Sequence, residues 1–89
     1  MLSFRSQARG EVEALWRSKL MKARREYSCA EANRRDAVEV EQQYPNSRPD
    51  GAYAVSKAAR VEAAARIEYI RILAIFTDLV LRGTLPPPD

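Results

Sequence analysis

Between Gly10 and Gly83 every glycine and proline of the chain falls in one seven-residue stretch, Pro45-Asn46-Ser47-Arg48-Pro49-Asp50-Gly51. The chain therefore reads as two long helical segments joined by a single turn. Pro45 ends the first segment, because the residue before a proline is pushed out of the α region. Ser47 with Asp50 three residues later reads as a capping-box variant, and Pro49 occupies the tolerated first turn of the next helix. Gly83 suits the left-handed position just past a helix end, and Pro86-Pro87-Pro88 forbids further helix. The pattern predicts one all-α domain over 1–89: a helix over about 6–44, a turn over 45–51, a helix over about 52–82 and a proline-rich tail over 83–89. Gly10 is the weak point of the first helix and offers an alternative start, since glycine costs a helix about 1 kcal/mol relative to alanine.

Periodicity predicts how the two helices pack. In the first, Trp16, Leu20, Ala23, Tyr27, Ala30, Asn33, Ala37, Val40 and Tyr44 recur with a mean spacing of 3.5 residues, the value of a left-handed coiled-coil seam. The matching row of the second is Val55, Ala58, Glu62, Ala65, Tyr69, Ile72, Phe76 and Leu79. A short turn makes them antiparallel neighbours, with Tyr44 beside Ala52 and Trp16 near Val80. Alanines then face alanines near the turn and bulky side chains meet near the termini, which gives a tapered hairpin. Glu62, the one carboxylate in the seam, is expected to pair with Arg34 across the hairpin and fix the register at some cost in stability.

One stretch exceeds what a two-helix hairpin can cover. From Ile67 to Leu81, eleven of fifteen residues are apolar. Beside the seam row runs a second one, Ile67, Ile70, Ala74 and Leu81, with Leu73 and Val80 between the two. A helix apolar over most of its girth is buried over most of its girth. Glu68, Arg71 and Asp78 keep the stretch from being a bilayer span, which needs about 20 apolar residues. The expected cover is a second copy of the chain: a homodimer completing a four-helix bundle, with Ile67, Ile70, Leu73, Ala74 and Leu81 at the interface. An 89-residue chain buries only about 60–65% of its unfolded surface, so folding and association are expected to be coupled.

Little in the composition supports catalysis. The chain has no histidine and one cysteine, Cys29. It carries neither a CxxC pair nor a glycine-rich phosphate loop. Glu13 with Arg17, Glu31 with Arg35, Glu62 with Arg66 and Asp78 with Arg82 stand at i,i+4 in the favourable order, ordinary support for exposed helix. No catalytic residue, metal or cofactor is expected. Cys29 falls nearly opposite the seam and reads as an inert thiol. A lone cysteine and the lack of an apolar leader run point to a cytoplasmic protein.

The charge balance leaves one alternative. Fifteen Lys+Arg against twelve Asp+Glu give +3, but residues 5–25 hold seven basic groups against Glu11 and Glu13. Arg17, Lys19, Lys22, Arg24 and Arg25 are the candidate nucleic-acid contacts. They spread round the helix rather than forming a stripe, and no base-reading motif accompanies them. The expected function is thus a non-enzymatic assembly, adaptor or inhibitor subunit acting through protein–protein contacts. The alternative is a small nucleic-acid-binding protein using residues 5–25.

Overall fold

The computed structural model describes residues 2–44 and 51–87, with side chains described from Arg9 onward. It is an all-α hairpin of two long helices, α1 over Leu2–Gln43 and α2 over Gly51–Arg82. The predicted turn lies outside the described residues except for Gly51, and so do the last two residues of the tail. α1 begins four residues before the expected start and passes through Gly10 unbroken. The Arg9–Glu13 ion pair, 3.3 Å and one turn apart, straddles that glycine. Such an i,i+4 pair offsets part of its helix cost.

Contacts climb α2 as they descend α1. Trp16 shares a core cluster with Ile72 and Leu79, the Tyr27 and Tyr69 rings stack at 6.0 Å, and Arg34 bonds to Glu62. All eight expected seam positions of α2 are buried or half-buried. In α1 the row holds from Trp16 through Ala30 and at Ala37, whereas Asn33, Val40 and Tyr44 are exposed. These three lie in the half of α1 nearer the turn, where the seam residues of α2 are Val55 and Ala58. At the far end the core extends past the expected rows, since Val12 and Ile75 also pack against the Trp16–Leu79 cluster.

Ala30 is buried where the helices approach closely, while Ala32 is exposed. Ala30→Leu should overpack the contact and cost about 1–3 kcal/mol. Ala37→Leu, at a half-buried position, should cost less, and Ala32→Leu should leave urea denaturation nearly unchanged. Equal losses at 30 and 32 would mean that the seam is misassigned.

α2 ends in an αL cap. Gly83 has φ of 69°, and its N–H donates to the Leu79 carbonyl at 3.1 Å, the bond that defines this cap. The Thr84 N–H donates to the Asp78 carbonyl. Arg9 adds a donor from the other helix, its Nη2 reaching the same Leu79 oxygen at 3.3 Å. A Cβ at position 83 would meet Arg9 only at ordinary contact distance. Gly83→Ala should therefore cost about 1 kcal/mol, through backbone strain alone. Thermal melts that show no loss would rule out a strained cap.

The molecule is a rod of 67 × 19 × 15 Å with a radius of gyration of 18.9 Å, against about 12 Å for a compact domain of this length. A rod two helices thick has little interior, and its buried core is Trp16, Ala23, Ala30, Ile72 and Leu79.

Candidate interaction face

The side chains beyond the seam divide into a charged flank, an ion-pair cluster and an apolar face. On the flank, Arg71 bonds to both Glu68 oxygens, at 3.0 and 2.7 Å. The hydrogen bond from Arg71 holds the Glu68 carboxyl below its ordinary pKa, and the same bond raises Arg71. Glu31–Arg35 closes at 3.1 Å. Glu13 pairs back to Arg9.

Inside the hairpin, Glu62 is 3% exposed and accepts from two arginines: Arg34 across the seam and Arg66 one turn on, at 2.9 Å. The Arg66 guanidinium lies 5.9 Å over the Tyr27 ring. A hydrogen bond with Tyr27 is the main cause raising its pKa, ahead of the bond to Glu62. A buried carboxylate held by two arginines is fully satisfied and penalises any helix slip that would strand it. Its chemistry is that of a register lock. Among the described residues no group of three His, Cys, Asp or Glu could hold a metal ion.

The five basic candidates separate. Arg17 lies 5.7 Å over the Phe76 ring and Lys19 lies 4.8 Å over the Trp16 ring, so both cations fold over the seam. Lys22, Arg24 and Arg25 are exposed. No common stripe results. Cys29 is exposed, in an open groove that Lys22, Arg25 and Val61 also line.

The second apolar row of α2 stands in solvent on the single hairpin. Ile67 is 67% and Leu81 76% exposed, Ile70 is more than half exposed, and Leu73 and Val80 are somewhat less so. Ala74 is exposed as well. No α2 residue of this row carries charge, and the face adjoins the seam through Leu73 and Val80. No helix among the described residues is long and apolar enough to cross a membrane. Fold and face together define an all-α helical hairpin with one uncovered apolar side. No protein-family model matches the chain, and no curated protein or solved structure is significantly similar to it.

Proposed function

We propose that this hairpin is a non-enzymatic, self-associating helical subunit that acts in assembly, as an adaptor or as an inhibitor through protein–protein contacts. The observation that carries the reading is the exposed row of Ile67, Ile70, Leu73, Ala74 and Leu81. Large contiguous exposed apolar patches mark interaction sites. The surface area supports it. The chain exposes 7051 Å², whereas a compact monomer of its mass exposes about 5,300 Å². The excess is larger than the roughly 800 Å² per partner that a standard interface removes. A dimer that shares the face by two-fold symmetry is the simplest closed arrangement.

Nucleic-acid binding has weaker support, because Arg17 and Lys19 lie over aromatic rings and the remaining cations are scattered. Light scattering across a concentration series tests the leading reading: a dimeric mass is expected, with weak and only mildly salt-dependent retention on heparin. A monomer whose heparin retention falls steeply with salt would reverse the order of the two readings.

A further inference from the structure

The face on α2 is longer than the stretch around Ile67 to Leu81, and its two halves differ in size. Toward the turn it continues as Ala52, Ser56, Ala59 and Ala63. From the middle it runs as Ile67, Ile70, Ala74, Thr77 and Leu81. Successive members are three or four residues apart, and at 100° per residue all nine fall within an arc of about 80°. None is charged, and all are exposed except half-buried Ala63. The row is a second seam, about 44 Å long. Its first half holds nothing larger than serine, and its second half is built round isoleucine and leucine.

We infer that the occupant of this seam is a second copy of the chain lying antiparallel along α2, with the two-fold axis beside Arg66 and Ile67. The inference rests on the self-association proposed above and specifies its geometry. Small side chains let helix axes approach toward about 8 Å, while large ones hold them nearer 10 Å. Parallel pairing sets isoleucine against isoleucine at one end and alanine against alanine at the other, so contact at the large end opens a gap at the small end. Antiparallel pairing matches the halves. Ala63 meets Ile70 of the second copy, Ala52 meets Leu81, and Ala59 meets the edge formed by Leu73 and Ala74.

One further feature fits this occupant. Arg66 is the charged residue nearest the axis, and Glu62 and the Tyr27 ring draw its guanidinium toward the intrachain seam. The middle of the face is thereby left to Ile67. Along one edge of the face run Arg60, Arg71, Asp78 and Arg82, with Arg71 paired to Glu68.

Site-specific disulfides decide the orientation. Cys29 is replaced by Ser, and Ala59→Cys and Ala74→Cys are introduced separately. In the antiparallel dimer residue 59 faces residue 74 of the other copy, and the two residues 59 lie about 22 Å apart along the axis, far beyond disulfide reach. Under a glutathione redox buffer an equimolar mixture should give a covalent heterodimer band on non-reducing gels, and each variant alone should lose that band. Ser56→Cys mixed with Thr77→Cys should behave the same way, which covers a variant that circular dichroism shows to be misfolded. Bands from each variant alone would make the dimer parallel and overturn the orientation while leaving self-association intact. A monomeric mass at every concentration for the Cys29→Ser parent would overturn both.

Discussion

Leu79→Ala is expected to cost the hairpin about 3–5 kcal/mol, the upper part of the range for truncating a buried leucine. Leu79 is 0% exposed, the one fully buried large side chain among the described residues. It packs in the cluster of Trp16 and Ile72, with Val12, Leu20 and Phe76 around it. The cavity left by its removal is lined by residues on two rigid helices, so it closes poorly. Domains of this size have stabilities of roughly 5–10 kcal/mol, and a loss on this scale takes much of the total. Leu15→Ala is the control: Leu15 precedes Trp16 in sequence but is 55% exposed, and its truncation should shift the urea midpoint very little. If both variants unfold at the same midpoint, the core does not lie where Trp16 and Leu79 meet.

Ile70→Asp is expected to abolish the dimer and leave a poorly folded or aggregating chain. Each large side chain of the second face contributes about 1.5–3 kcal/mol when buried, before the entropic cost of association. By two-fold symmetry the substitution puts two unpaired carboxylates into one interface, and each desolvated charge costs further. Wild-type protein should melt at a temperature that rises with concentration, as linkage between folding and association requires. That dependence should vanish in Ile70→Asp. A wild-type monomer with a concentration-independent melt, together with an Ile70→Asp chain folded equally well, would sink the self-association reading. The apolar face would then belong to a different protein or to a membrane surface.

The parts of this architecture that are legible in sequence are those set by backbone periodicity. Pro45 and Gly83 punctuate the helices, and the three-and-four spacing from Val55 to Leu79 marks the buried row of α2. Glu62 stood out as a lone carboxylate in that row, and antiparallel geometry then named Arg34 as its partner. What escaped depends on side-chain size and reach. Val40 and Tyr44 have seam spacing but stand exposed at the end of α1, and periodicity alone does not tell a covered position from an uncovered one. Val12 continues the spacing one turn before Trp16, so the core runs one turn beyond the row that starts at the tryptophan. Lys19 stands three residues from Trp16, a spacing that permits its contact with the ring, whereas the flexible stem of Arg17 folds its cation over Phe76 of the other helix, which no spacing rule anticipates. Arg9 reaches an oxygen 70 residues away, a contact that exists only once both helices are in place. The interaction face is half legible: its large residues declare themselves as surplus apolar surface, whereas Ala52 and Ala59 look like ordinary helix formers until α1 is seen to leave them exposed.

The antiparallel ladder also orders the hairpin in time. Of the hydrogen bonds described between the helices, Arg34 to Glu62 spans 28 residues and Arg9 to the Leu79 carbonyl spans 70. Closing a longer loop adds entropy cost only logarithmically, but it is paid before any contact repays it. The early rungs close most cheaply yet are lined with alanine and bury little, while the rungs that bury most, at Trp16 and Leu79, close last. The rungs nearer the turn are therefore expected to close first, and those at Trp16 and Leu79 last. Truncation at Leu79 should accordingly speed unfolding far more than it slows folding.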